Sequence, residues 1–184
     1  LRADGADIVG VSGDDLDAAR AAAAGADVVV ACGGAATTEA ADRDSLRLDN
    51  HDFLTELVAG VEDTPVVLVA LAPGAVVLPQ ADAAAAALVC FLCGEATGLA
   101  LADVLLGRKE PGGRLPVTIP RTEAATVQPC EHDACPYTEG VRGGYRGIAA
   151  ADVHFPFGHG LGYATFELEV LEVTARDVTA VLRH

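Results

Sequence analysis

Residues 28–32 read Val-Val-Val-Ala-Cys, and this run is the strongest indicator of the fold. Apolar residues in a row without a charge predict a β-strand that is buried on both faces, as in a parallel sheet. Val66–Leu71 and Ala86–Leu92 are two further runs of this kind. Stretches with helical periodicity alternate with them, at Leu16–Ala24, Asp52–Val58 and Thr97–Leu106. Alternating strands and helices predict βαβ units, and therefore an α/β fold with a mostly parallel sheet.

The segment ahead of this run predicts one more strand and helix. Ile8–Val11 has the apolar character of a short strand. Asp14 and Asp15 are candidate N-caps of the first helix, because their short side chains accept hydrogen bonds from the first helical N–H groups. Gly25 is a typical residue at which a helix ends.

The character of the chain changes beyond Pro111. Proline and glycine become frequent, and residues 121–162 predict a long stretch of loops. Phe166–Val173 and Val178–Leu182 then alternate apolar and polar residues, as exposed strands do. A second, β-type unit is therefore predicted to begin near the C-terminus.

Composition argues against two classes of partner. The chain has 27 acidic and 12 basic residues and a formal net charge of -15, so its average field repels nucleic acids. Its long apolar stretch, 66–78, is interrupted by Pro73 and Gly74, which argues against a membrane span. The first residue is Leu1 rather than methionine, which suggests that an upstream part of a longer chain is missing.

The five cysteines cannot all pair within one chain, because their number is odd. Cys90 and Cys93 are predicted to be buried thiols, since strand residues three positions apart point to opposite faces. Cys130 and Cys135 bracket a loop with His132 and Asp133, where free thiols or a disulfide are favoured over a zinc site. The compartment stays unknown from these residues, with an extracellular or periplasmic location favoured.

Four segments contain motifs that recur in order along the chain. The first is Thr-Glu-Ala-Ala-Asp-Arg at 38–43, followed by Leu46 and Leu48. The second is Gly-Glu-Ala-Thr-Gly at 94–98 with Ala-Asp-Val-Leu-Leu-Gly at 102–107, and the third is Pro-Gly-Gly-Arg-Leu-Pro-Val-Thr-Ile-Pro at 111–120. The fourth contains Tyr-Thr-Glu-Gly at 137–140, Gly-Tyr-Arg at 144–146 and Phe-Pro-Phe-Gly-His-Gly-Leu-Gly-Tyr-Ala-Thr-Phe at 155–166.

Together these segments resemble motifs of family 3 glycoside hydrolases, such as E-G-x-D-R, A-D-V-L-F-G, P-S-G-R-L-P-V-T-F-P and F-P-F-G-x-G-L-S-Y. The resemblance implies a flavodoxin-like α/β sandwich over residues 1–163 and the start of a fibronectin III-like β-sandwich over residues 164–184. It also implies an N-terminal TIM-barrel domain of the same enzyme, which bears the catalytic aspartate nucleophile. This chain alone is then expected to be inactive.

The implied activity is that of a retaining β-glycosidase, which hydrolyses O-glycosidic bonds and releases non-reducing terminal sugars from a β-linked glucoside or xyloside. Such an enzyme needs one carboxylate as nucleophile and a carboxylic acid about 5 Å away. By resemblance the acid/base glutamate precedes the Asp-Arg pair, and Glu39 occupies that position. No cofactor or metal is expected.

Residue order supports a ligand site around Glu39. The long loop 33–48 follows the strand that ends near Cys32, and open parallel sheets bind ligands beyond the carboxyl ends of their strands. Pairing of Arg43 with Glu39 would oppose a role as an acid. Pairing of Arg43 with Asp42 or Asp44 would instead leave Glu39 as a solvated loop carboxylate.

Departures from the motifs leave alternatives open. The residue after the glutamate is Ala40 rather than glycine, and Ala96 and Thr97 stand where a second acid and a glycine are expected, although Glu95 is an alternative carboxylate. A non-catalytic or degenerate accessory domain, which packs on a barrel partner or binds carbohydrate, is the second hypothesis. A free-standing flavin or nucleotide binder is the third, but Gly158–Gly162 lacks the flanking strand and helix of a phosphate loop and predicts a packing turn.

Overall fold

The computed structural model describes residues 1, 5–128, 130 and 134–184. In this part of the chain the α-helices are α1 (Leu16–Ala23), α2 (His51–Gly60) and α3 (Thr97–Leu105). The strands are β1 (Val29–Gly34), β2 (Val66–Ala72), β3 (Ala86–Phe91), β4 (Ile119–Pro120), β5 (Val153–Phe155), β6 (Glu167–Val173) and β7 (Val178–Arg183).

The predicted α/β class with a parallel sheet is confirmed. Strands β1, β2 and β3 form a three-stranded sheet in that order, and both pairs are parallel. Val30 lies beside Val67, and Val69 lies beside Leu88. Two small antiparallel pairs follow, β4 with β5 and β6 with β7. That the sheet is the centre of an α/β sandwich stays a prediction.

The core lies between α2 and the sheet. Leu54 and Leu57 of α2 are buried in one cluster with Ala31 of β1 and with Leu68 and Ala70 of β2. Leu54 and Leu68 are both 0% exposed. Burying a leucine contributes roughly 1.5–3 kcal/mol to stability, so these contacts fix where α2 begins relative to the end of β1.

Helix α1 begins as predicted, but the strand ahead of it does not form. The Asp15 side chain accepts a hydrogen bond from the Ala18 N–H at 2.9 Å, which confirms its N-cap role. Ile8–Val11 is not a strand, and Val9 is 72% exposed. The prediction was wrong because the short run contains Gly10, which weakens a strand, and it belongs to none of the sheets among the described residues.

The cysteines differ from the sequence interpretation. Cys90 and Cys93 form a disulfide rather than two buried thiols. The strand ends at Phe91 and Leu92 adopts a positive φ of 47°, so the alternation of strand faces no longer applies at Cys93. A second disulfide joins Cys130 and Cys135. His132 and Asp133, the other groups of the zinc alternative, lie outside the described residues.

The turn at Gly158–Gly162 packs against the segment ahead of β4, as predicted. The Leu115 N–H donates to the His159 carbonyl and the Gly158 N–H donates to the Leu115 carbonyl, both at 2.8 Å. Arg114 donates to the Gly160 carbonyl at 2.5 Å. These bonds give the Gly-rich turn a structural role in joining two of the sequence motifs.

The C-terminal hairpin of β6 and β7 matches the predicted pair of strands closely. Leucines and valines on both strands are exposed, among them Leu168, Val170 and Leu182. Its membership of a fibronectin III-like domain stays a prediction. Within the described residues, no helix is long and apolar enough to span a bilayer.

Candidate active site

An open cleft of about 790 Å³ lies beside the segment that connects β1 to α2. Residues 36–53 supply most of its lining, and Gly13 and Asp14 complete it. The charged side chains at its wall include Asp42, Asp44, Asp49, Asp52, Arg43 and Arg47. The cleft therefore lies beyond the carboxyl end of a parallel strand, where the sequence predicted a ligand site.

Glu39 lies at the tip of a tight turn on the rim of this cleft. Thr38 and Ala41 form an antiparallel bridge, which leaves Glu39 and Ala40 as the two turn residues. Thr38 and Ala41 line the cleft. Glu39 is exposed and has no hydrogen bond or ion pair with any other described residue. Its carboxylate is thus exposed to solvent and accessible to a partner or a substrate.

Ala40 does not strain this turn. Of the described non-glycine residues, only Leu92 has a positive φ. The turn therefore forms without the left-handed conformation that would favour the glycine of the family motif at this position. Ala40 therefore no longer supports the hypothesis of a non-catalytic or degenerate domain.

The base of the loop is closed by Asp49. Its N–H donates to the Gly34 carbonyl at 2.8 Å, at the end of β1. Its carboxylate Oδ2 accepts the Ala36 N–H at 2.8 Å. The Ala35 N–H continues the sheet pattern by donating to the Leu71 carbonyl at 2.9 Å. Both ends of the loop are consequently anchored to the sheet.

Arg43 has a different partner from those expected. Its guanidinium forms an ion pair with Asp49 at 3.2 Å, and with neither Asp42 nor Asp44. The predicted pairing with Asp42 or Asp44 was wrong because the Arg43 side chain turns into the loop. Backbone carbonyls there also accept hydrogen bonds from its guanidinium. Arg43 does not pair with Glu39 either.

A buried amide that belongs to none of the sequence motifs lies beside the cleft. Gln80, only 4% exposed, lies on a 3-10 turn at Pro79–Asp82. Its Nε2 donates to Thr55 Oγ1 at 2.8 Å and to the His51 carbonyl at 3.1 Å, and lies 3.2 Å from His51 Nδ1. His51 Nδ1 therefore lies against a buried amide, and burial disfavours the charged form of the ring. No local motif signals a contact between residues so far apart in sequence.

The pKa of His51 is lowered from its ordinary value, mainly by burial. The positive charge of Arg47 lowers it further, whereas Asp52 and Glu123 act in the opposite direction. A lowered pKa in the folded state means that the unfolded chain takes up the proton first as the pH falls. The contribution of neutral His51 to stability is complete above pH 6.5 and is lost below it.

We therefore expect His51→Gln to flatten the pH dependence of stability. The unfolding temperature of the parent should fall between pH 7.5 and pH 5, and part of that fall should be absent from the variant. Thermal unfolding followed by fluorescence across this pH range measures it. His184→Gln, a change at an exposed terminal histidine, serves as the control. Equal slopes for His51→Gln and the parent would contradict the neutral assignment.

Glu95, the alternative carboxylate, is not part of this cleft. It is exposed and lies next to Ala96, the N-cap residue of α3. The lining of the cleft comes from residues 13–14, 36–38, 41–45 and 47–53, so Glu39 lies beside the lining, between Thr38 and Ala41. Among the described residues, no three His, Cys, Asp or Glu side chains are grouped as metal ligands.

Comparison with known proteins gives a consistent result. Residues 5–163 match the family model described as the glycosyl hydrolase family 3 C-terminal domain. A thermostable β-glucosidase B from Acetivibrio thermocellus is 34% identical over 180 residues, which cover 92% of this chain and 24% of that protein. An exo-α-(1→6)-L-arabinopyranosidase from Bifidobacterium breve is 38% identical over 141 residues, covering 73% of this chain and 19% of that protein.

Solved structures of β-glucosidases also superpose on this chain. A β-glucosidase from Kluyveromyces marxianus superposes with a TM-score of 0.76 at 28% identity, over 92% of this chain and 22% of that one. A glycoside hydrolase family 3 β-glucosidase from Neurospora crassa superposes with a TM-score of 0.74 at 25% identity, over 88% of this chain and 22% of that one. The chain thus spans about a quarter of the length of the relatives that it matches.

Proposed function

The chain belongs to glycoside hydrolase family 3, and on that premise we propose that it is the acid/base-bearing part of a retaining β-glycosidase. The enzyme hydrolyses O-glycosidic bonds and releases glucose or xylose from the non-reducing end of a β-linked glycoside. The observation that carries the proposal is the placement of Glu39, unpaired and outward, on a loop that is anchored to the sheet. Supporting it, most of the relatives compared above have names of β-glucosidases.

In the proposed mechanism two carboxyl groups share the reaction. A carboxylate attacks the anomeric carbon, the glycosidic C–O bond breaks, and Glu39 gives its proton to the leaving oxygen. Water then enters as the leaving alcohol departs, Glu39 accepts a proton from that water, and the covalent intermediate is hydrolysed. The separation of about 5–5.5 Å between the carboxyl groups requires the nucleophile to reach the rim of the cleft.

An N-terminal TIM-barrel domain of the same enzyme supplies the aspartate nucleophile in this proposal. It packs on the chain so that the Glu39 turn faces the sugar site. Exclusion of water there, together with the nearby negative charge, keeps a carboxylic acid protonated near neutral pH. Residues 164–184, which include the exposed β6–β7 hairpin, begin the fibronectin III-like domain.

Stereochemistry tests the reaction class directly. The full-length enzyme is expected to release the β-anomer of glucose first from phenyl β-glucoside, because two inversions at C1 restore the configuration. Proton NMR of the anomeric signals during the first minutes of hydrolysis distinguishes the β-anomer from the α-anomer. Initial release of the α-anomer would exclude the double-displacement mechanism.

A non-catalytic accessory domain is the second candidate, favoured by Ala96 and Thr97 in the second motif. Glu95 and Ala96 are exposed and Thr97 is half-buried, so this segment is not part of the core. In that case the chain contributes only packing or carbohydrate binding, and changes at Glu39 leave hydrolysis by the full-length enzyme unaffected.

A further inference from the structure

One guanidinium holds together the loop that carries Glu39. Arg43 Nη1 donates to the Ala36 carbonyl at 2.6 Å and to Asp49 Oδ1 at 3.2 Å. Its Nε donates to the Ser45 carbonyl at 3.3 Å, and its Nη2 donates to the Arg47 carbonyl. The side chain is only 21% exposed. These bonds use four of the five N–H groups of the guanidinium, all within the loop.

The acceptors lie on both sides of the Glu39 turn. Ala36 precedes the turn, whereas Ser45 and Arg47 follow it. Among the described residues, the other ties across the loop are the Thr38–Ala41 bridge at the tip and the bonds of Asp49 at the base. Arg43 is thus the link between tip and base. Without it, three backbone carbonyls lose a charged donor and the two halves of the loop can separate.

Glu39 depends on this link because it has no side-chain bond of its own among the described residues. Its position follows from the backbone alone. A catalytic group that is misplaced by about 1 Å can lose on the order of 100-fold in rate. A loop that is loosened far from the sugar can therefore lower the rate of proton donation.

We propose that Arg43 is a positioning residue for the acid/base step, which acts through the loop backbone and does not contact the sugar. This inference rests on the proposed role of Glu39. Four of its five N–H groups are already used within the loop, which distinguishes it from a cation that binds substrate hydroxyls. Its effect is specific to the reactions that need a correctly placed proton donor.

Substrates with different leaving groups distinguish this positioning role from a general loss of structure. Phenyl β-glucoside needs protonation of its leaving oxygen, whereas 2,4-dinitrophenyl β-glucoside has a leaving group that departs without it. In the full-length enzyme, Arg43→Ala should lower kcat/KM for the phenyl substrate by about 10- to 100-fold. The value for the dinitrophenyl substrate should stay close to that of the parent. Arg43→Lys keeps the charge but lacks the planar guanidinium that bonds several acceptors at once. It should show the same selectivity to a smaller degree.

A double variant tests whether Arg43 acts through Glu39. In a Glu39→Gln background, Arg43→Ala should cause no further loss on the phenyl substrate, because the acid is already absent. Arg183→Ala removes an exposed ion pair of the C-terminal hairpin and serves as the matched arginine control. Arg183→Ala should leave kcat/KM unchanged for both substrates.

The outcomes distinguish the two proposals. Equal losses on both substrates for Arg43→Ala and Arg43→Lys, with selective loss for Glu39→Gln, would overturn the positioning role and keep the proposed function. Absence of selective loss for Glu39→Gln would overturn the proposed function itself. If Arg43→Ala is insoluble, the substrate selectivity of Arg43→Lys decides in its place.

Discussion

Glu39→Gln in the full-length enzyme is expected to lower kcat/KM for phenyl β-glucoside by about 10²- to 10⁴-fold, the usual contribution of a general acid. The amide retains the size of the side chain but has no proton to give to a poor leaving group. The alkaline limb of the pH profile should disappear, because that limb reports deprotonation of the essential acid. Steady-state rates between pH 4 and pH 9 measure both effects.

Azide provides an independent check of the same assignment. After Glu39→Ala, a small anion can enter the vacated space and attack the glycosyl-enzyme intermediate without help from a base. Added azide should then accelerate turnover of 2,4-dinitrophenyl β-glucoside and yield β-glucosyl azide. Glu95→Gln, a change at the exposed glutamate next to the N-cap of α3, is the matched control and should behave as the parent. An unchanged rate and pH profile for Glu39→Gln would instead support the accessory-domain hypothesis.

The parallel sheet could be predicted from sequence because its strands are nearly pure apolar runs. The predicted strand at Val66–Leu71 differs from β2 by one residue, and the predicted helix at Leu16–Ala24 differs from α1 by one residue. Ile8–Val11 has a similar composition but is not a strand. A strand depends on a neighbour that pairs with it, and a short apolar run does not encode that neighbour.

The site was only partly predictable for the same reason. The motif made Glu39 a candidate acid, and the strand ahead of it indicated the edge of the sheet, but neither indicated which groups Arg43 contacts. Its partners include backbone carbonyls, which carry no sequence signature. Gln80 reaches His51 across 29 positions of the chain, a contact that only the packing of α2 creates. Local patterns locate the candidate loop, and long-range contacts determine its shape.

Gly33 illustrates how packing overrides a local signal. The Gly-Gly pair after Cys32 predicts the start of a loop, yet both glycines belong to β1, with Gly33 beside Ala70 and Gly34 beside Leu71. A Cβ at Gly33 would lie 2.5 Å from Leu54 Cδ1. The strand continues through glycine because α2 and the end of the loop approach it too closely for any side chain.

Gly33→Ala is therefore expected to destabilise the fold by about 1–3 kcal/mol, as overpacking of a filled core does. The new methyl group would also lie 2.8 Å from Leu48 Cδ1 and 2.9 Å from Asn50 Oδ1. Leu48 and Leu54 are both buried, so neither has open space into which it can turn. Asn50 would have to move as well, although its Nδ2 is bonded to the Cys32 carbonyl at 3.1 Å. Thermal unfolding of the variant beside the parent measures the loss.

Gly34→Ala is the matched control, because it adds the same methyl group to the next residue of the same strand. Its nearest neighbour would be the Leu71 carbonyl oxygen at 4.0 Å, an ordinary contact. Alanine also loses less backbone entropy than glycine on folding, so this variant should equal the parent or exceed it by about 0.5–1 kcal/mol. Since the two changes are chemically identical, a difference between them isolates the packing at Gly33. Equal unfolding temperatures for Gly33→Ala and Gly34→Ala would show that α2 and the loop can move away from the strand. In that case the anchoring of the Glu39 loop would be looser than its hydrogen bonds to Asp49 and Arg43 indicate.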